Sequence, residues 1–157
     1  SSAASDVYKR QSLFNSININ ASGLNSEQFR MDVVSQNIAN ANTTRTSSGT
    51  PYRRKLTVFK EDQDRSFDSI LSGEKSKRAF DGNGVKVTGV VEEQSEFKLV
   101  YEPGHPDARE DGYVEMPNVD IVKEMVDLIS ASRAYESNLT SITTAKNMAM
   151  KAINIGK

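Results

Sequence analysis

A chain of 157 residues with 36% apolar side chains, a formal net charge of -1 and neither cysteine nor tryptophan has room for one domain, or one domain with a small insert, around a thin core. This composition excludes disulfides, thiol catalysis and zinc–thiolate sites, and the charge balance gives no general attraction to nucleic acid or to an anionic membrane surface. No run of about 18 apolar residues occurs, so no segment reads as a membrane-spanning helix.

Residues 1–11 lack the apolar core of a secretory signal and differ in character from the residues after them, so they are expected to be a non-native leader outside the fold. Ile17, Leu24, Met31 and Ile38 then recur every seven residues, with Ala21, Val34 and Ala41 at helical offsets. That period predicts a helix, with Ser12 or Asn15 as its N-cap. Gly23 interrupts it at a cost of about 1 kcal/mol relative to alanine, so the early part is expected to fray or bend. The helix should end near Asn40, among asparagines that tolerate a left-handed C-cap.

Thr43 to Pro51 reads as a loop. Arg53, Arg54 and Lys55, with Arg45 nearby, read as a solvated loop and strand start, since a phosphate-binding patch needs more charge and interleaved aromatics. Tyr52 to Phe59 is aromatic and β-branched, and predicts a strand. Glu61 to Lys77 is charged and aperiodic, and reads as a loop or a disordered excursion. Asp81-Gly82-Asn83-Gly84 signals a hairpin turn leading into alternating Val85, Val87 and Val90; Phe97, Leu99 and Tyr101 alternate again. The middle is therefore a small β unit of three or four strands.

From Asn118, a good N-cap, the longest apolar stripe of the chain begins: Ile121, Met125, Leu128, Ser132, Tyr135, Leu139, Ile142, Ala149 and Ile153, broken only at Lys146. Five heptads without proline or glycine predict one helix on the order of 50 Å long, whose 3.5-residue period suits a supercoiled partner. The N-terminal helix is the obvious partner within the chain, with packing of the long helix on the β unit as the alternative. The expected fold is α+β: long N- and C-terminal helices packed as an antiparallel coiled-coil-like pair (residues 12–42 and 116–157) with a small β-rich insert between them (43–115).

Residues suited to catalysis are few. His105 lies between Gly104 and Pro106 with no second histidine, an exposed turn residue rather than a metal ligand. Asp62, Asp64 and Asp68 lack the glycine and terminal glutamate of a calcium loop. Gly82, Gly84 and Gly89 do not form a nucleotide loop, and no carboxylates pair by spacing for acid–base work. No catalytic, metal or cofactor residue is assigned. The functional candidates are subunit-interface residues: Ile17, Leu24, Met31, Ile38, Ile121, Met125, Leu128, Tyr135, Leu139, Ile142, Ala149 and Ile153. The N-terminal stripe is shorter and interrupted by polar Gln28 and Ser35, so much of the C-terminal stripe stays uncovered, which suggests an assembly subunit whose contacts generate a helical array.

Several stretches resemble bacterial flagellar rod and hook proteins. Ser12-Leu13-Phe14 and the run Ser35-Gln36-Asn37-Ile38-Ala39-Asn40-Ala41-Asn42-Thr43-Thr44 are similar to that family's N-terminal signature. Gly112-Tyr113-Val114-Glu115-Met116-Pro117-Asn118-Val119-Asp120, then Glu124 to Ile129 and Ser132-Arg133-Ala134-Tyr135-Glu136-Ser137-Asn138, are similar to its C-terminal helix and the segment leading into it. Pro51-Tyr52-Arg53-Arg54-Lys55 before Val58-Phe59, and His105-Pro106-Asp107-Ala108, resemble the proximal rod members. The resemblance implies a non-enzymatic subunit that is exported through the flagellar type III apparatus without a cleaved signal peptide. It further implies polymerisation into the periplasmic rod of the basal body. Its partners would be copies of itself, other rod proteins and the basal-body ring, with no cofactor, nucleic acid or small-molecule substrate. An interaction module of another type III secretion or filament assembly is the reading left open beside it.

Overall fold

The computed structural model describes residues 2–62 and 83–155. In chain order these form α1 (Ser2–Ala39), β1 (Lys55–Glu61), β2 (Val85–Glu92), β3 (Lys98–Tyr101), β4 (Tyr113–Met116) and α2 (Ile121–Ile155). The fold is α+β, with the two long helices packed antiparallel and two small sheets inserted between them in sequence, β1 paired with β2 and β3 with β4. Among the described residues no helix is long and apolar enough to cross a membrane.

The helix expected to start at Ser12 or Asn15 instead begins at Ser2 and runs without a break to Ala39. With no proline or glycine before Gly23, nothing in the backbone halts it. Its C-terminus falls close to Asn40 as expected, but without a left-handed asparagine cap: among the described residues no residue other than glycine has a positive φ, and the N–H groups of Asn40 and Ala41 donate back to the Gln36 and Ile38 carbonyls at 3.1 and 3.2 Å. β1 starts at Lys55 rather than Tyr52, because Tyr52 and Arg54 turn their side chains inward ahead of the strand. The connection between β1 and β2 occupies residues 62–84, so it is not a tight hairpin. Most of the Glu61–Lys77 loop, Asp64, Asp68 and the Asp81-Gly82 half of the turn lie outside the described residues. At α2 the cap is Asp120 rather than Asn118. Its Oδ1 accepts from the backbone N–H of Val122 at 3.0 Å and of Lys123 at 3.4 Å.

The chain divides into two compact units. One comprises residues 1–27, 59–87 and 134–157. Here Gly23 does not interrupt α1. A Cβ at this position would stand 2.9 Å from Nδ2 of Asn138, so glycine leaves the notch that this amide occupies. Beside it, Ser22 Oγ donates to the Ile19 carbonyl at 2.7 Å and accepts from the Val85 N–H at 3.0 Å, tying α1 to β2. Lys86 pairs with Asp62 at 3.1 Å. In this unit's part of α2, Ala145 is buried.

The other unit, residues 28–58 and 88–133, holds most of the buried apolar side chains: Val33, Val34, Ala41, Tyr52, Val114, Val119 and Ala131. β3 and β4 pair antiparallel with Lys98 opposite Met116 and Tyr101 opposite Tyr113; the two tyrosine rings meet edge-on at 5.2 Å, a favourable quadrupole arrangement. Gly112 closes this hairpin at φ 78°, a left-handed conformation that a side chain disfavours.

The heptad pattern of α2 is real, but its inward register differs from the one expected. Leu128, Tyr135, Ile142 and Ala149 are half-buried, and they alternate with Glu124, Ala131, Asn138 and Ala145. Met125 and Leu139, read as seam residues, are 54% and 48% exposed, and Ile121 and Ile153 are exposed as well. Small and polar residues let α1 approach closely at these positions, so the larger apolar side chains are left on the outer flank.

Candidate functional site

The densest chemistry lies in the second unit, where the C-terminal end of α1, the segment before β1 and the first turns of α2 converge on Arg54. Its Nε donates to Oε1 of Glu124, Nη1 to Oε2 of Glu93 at 3.1 Å and Nη2 to Oδ2 of Asp127 at 3.0 Å. The Arg54 side chain is 8% exposed and that of Glu124 is 0% exposed. Burial alone would lower the arginine's pKa, but the bonds to Glu124 and Glu93 outweigh it and hold the pKa above its usual value. Arg54 was expected to be solvated; three carboxylates contributed by distant segments pull it inside instead.

Asn37 completes the cluster. Its Nδ2 donates to Glu124 Oε2 and to the Lys55 carbonyl, both at 2.9 Å, while its Oδ1 accepts from the Lys55 N–H at 2.9 Å and from the Tyr52 hydroxyl at 3.0 Å. All four hydrogen-bonding positions of the amide are therefore used, and two of them pair with the strand start like a further residue of the sheet. Asn118, displaced from its expected capping role, does similar work. It accepts from the Arg54 N–H at 2.8 Å and donates to the Glu93 carbonyl at 3.0 Å and to Ser95 Oγ at 2.7 Å.

Around this lock the backbone turns are fastened. Thr43 donates through its N–H to the Asn40 carbonyl at 3.0 Å, and Tyr52 through its N–H to the Thr43 carbonyl at 3.1 Å. Ala41, Tyr52 and Val119 form a small apolar cluster. Arg53 lies over the Phe97 ring at 4.3 Å and donates to the carbonyls of Glu93 and Ser95, the segment after β2. Arg45 pairs with Asp107 at 3.6 Å, and Arg109 with Glu115. His105 is half-buried rather than exposed; its Nδ1 accepts from the Asp107 N–H at 3.1 Å, a turn-stabilising role.

The residues singled out from sequence thus have different fates. Asn37, Asn40 and Thr43 enter the lock, while Ala39 and Asn42 are exposed. Asn138 packs at Gly23. Ala134 and Tyr135 are half-buried, whereas Arg133 and Glu136 are exposed. Ile17, Leu24, Met31 and Ile38 are all half-buried. Sequence reasoning missed Arg54, Glu124 and Asn118 as a group. The only available signal was that opposite charges and amides recur inside the three most distinctive stretches, and nothing local pairs them. Among the described residues no group of three histidine, cysteine or acidic side chains could hold a metal ion.

The lock has a consequence at alkaline pH. Burial, and then the charges of Glu124 and Glu92, raise the Tyr52 pKa above 10.0. In the unfolded chain the phenol ionises near about pH 10, so above that pH the unfolded state binds fewer protons than the folded one and stability falls as pH rises towards the folded pKa. Urea unfolding across this window should show that decline. The decline should be shallower in Tyr52→Phe, which has no proton to lose at that position.

Two family models match this chain. Residues 17–45 match the flagella basal body rod protein model, and residues 110–155 match the flagellar basal body rod FlgEFG protein C-terminal model. The chain is 49% identical over 148 residues to flagellar basal-body rod protein FlgC of Bacillus subtilis (strain 168), covering 92% of this chain and 98% of that protein. It is 44% identical over 150 residues to FlgC of Borreliella burgdorferi, covering 91% and 97%. It is 41% identical over 145 residues to FlgC of Salmonella typhimurium (strain LT2), covering 92% and 98%.

Proposed function

Because the chain belongs to the FlgC family of flagellar basal-body rod proteins, we propose that it is a structural subunit of the proximal rod that polymerises with its own copies and other rod proteins into the periplasmic drive shaft. The observation that carries this reading is the apolar surface that helix packing leaves open. Along α2, Val122, Met125, Val126, Ile129, Leu139, Met148, Met150 and Ile153 are all exposed. Each large apolar side chain fully buried in an assembly contributes roughly 1.5–3 kcal/mol, so a few of them offset the ordering cost of association. In this reading the exposed surfaces of Ile121, Met125, Leu139 and Ile153 are intersubunit contacts. The half-buried Ile17, Leu24, Met31, Ile38, Leu128, Tyr135, Ile142 and Ala149 divide their surface between the chain's own helix pair and its neighbours.

The role is mechanical rather than catalytic: a buried ion network and paired helices transmit load without needing a cleft. The chain would reach its place through the flagellar type III export apparatus without a cleaved signal peptide, and meet the basal-body ring as well as other rod proteins. The test is Leu139→Asp. Leu139 is 48% exposed, so the monomer should keep its circular dichroism and unfolding midpoint while incorporation into purified basal bodies, and swimming, are lost. Normal incorporation of this variant would sink the proposal.

A further inference from the structure

The second unit carries two surfaces that complement each other. The first is an open groove of about 550 Å³ between α1 and the β1–β2 strands, floored by Phe29, Val33 and Val90 and edged by Asp32, Gln36, Lys55 and Glu92. Lys55 turns towards its own chain: its Nζ lies 5.6 Å from the Tyr52 ring centroid and 3.5 Å from Gln36 Oε1. Asp32 and Glu92 have no ion-pair partner among the described residues, and with Lys55 counted beside them the groove's edge carries one net negative charge. The second surface is the N-terminal third of α2. There Val122, Met125, Val126 and Ile129 make a stripe at helical spacing, with exposures from 54% to 72%.

Arg133 follows Ile129 by four residues and therefore continues the same face. It is exposed, has no hydrogen-bond or ion-pair partner among the described residues, and belongs to the Arg-Ala-Tyr-Glu run whose Ala134 and Tyr135 the fold uses for packing. Lys123, also exposed, flanks the stripe. One surface is thus an apolar ridge with positive charge at its end and side; the other is an apolar groove with negative charge on its edge.

We propose that the Val122–Met125–Val126–Ile129 stripe of one copy of this chain seats in the Phe29–Val33–Val90 groove of a second copy, with Arg133 placed against Asp32 and Glu92. This proposal rests on the rod-subunit reading and deepens it by naming which face meets which. Ridge and groove are different patches of one chain, so the contact is head-to-tail and propagates instead of closing into a two-fold dimer. The opposed charges fix the register.

The chain has no cysteine, so single thiols report the contact cleanly. Purified full-length Val126→Cys and Val90→Cys proteins, both altered at exposed positions, are mixed in equal amounts and oxidised mildly. The expected product is the mixed disulfide between the two variants, in excess of either homodimer. Arg133→Glu introduced into the Val126→Cys protein should reduce that product at least about tenfold through like-charge repulsion, and Glu92→Arg in the Val90→Cys protein should restore it. No cross-link, homodimers alone, or no recovery by the charge swap overturns the proposal. The rod-subunit reading is tested separately by whether the tagged wild-type chain is present in purified basal bodies. Its presence without the mixed disulfide leaves that reading standing and removes only this interface.

Discussion

Arg54→Ala should cost about 3–5 kcal/mol of folding free energy, the range for breaking a buried ion pair by deleting one partner. The reason lies in what remains. Glu124 is 0% exposed, and without the guanidinium its carboxylate keeps, among the described residues, only the Asn37 amide as a side-chain hydrogen-bond partner. Glu93 and Asp127 are about one-third exposed and can recover hydration, so Glu124 carries most of the loss. Small domains are stable by only about 5–15 kcal/mol, so a change of this size shifts the urea midpoint clearly. Replacing both partners, Arg54→Met with Glu124→Leu, should cost less than Arg54→Ala alone, because no uncompensated charge is then buried. A double variant as unstable as the sum of the two single variants would mean that the ion pair is not the unit that matters. Arg54→Lys should recover only part of the loss, since an ammonium cannot reach three carboxylates from one plane.

Ala131→Asp should be similarly damaging, about 3–5 kcal/mol, because it puts a charge with no partner into a fully buried, closely packed position. Ala131 has no exposed surface, whereas Met125, six residues earlier in α2, is 54% exposed. Met125→Asp should therefore change monomer stability by no more than about 0.5 kcal/mol, as for other surface substitutions, while still weakening assembly. Chemical unfolding of the two purified variants separates these effects. The reverse ranking would show that the large apolar side chains, not the small ones, face the helix partner.

The contrast between Ala131 and Met125 shows how far the sequence could be read. A heptad repeat reports that a helix has a stripe, and the stripe of α2 is plain from Ile121 to Ile153. Which of two neighbouring stripes turns inward depends on how closely the partner helix approaches: the Gly23 notch filled by Asn138 marks one close approach, and the buried apolar residues of α2 are the small Ala131 and Ala145. Hydrophobicity alone favours Met125 and Leu139; close packing favours the smaller residues. The same limit applied at Gly23, which looks like a weak point within one helix and becomes a docking notch once the second helix is present.

The sequence by itself determined the α+β class, the existence and order of the two long helices and the strands between them, and the family, because these rest on local periodicity, turn chemistry and distinctive contiguous runs. Only the tertiary structure decided that Arg54 is buried, that Asn37 and Asn118 serve as backbone partners, and that Asp120 caps α2. The first two of these join residues far apart in the chain: Arg54 to Glu124 spans 70 positions and Asn37 to Glu124 spans 87. A buried charge is tolerable only when its partner is brought to it in space, and a one-dimensional pattern does not record which partner the fold delivers.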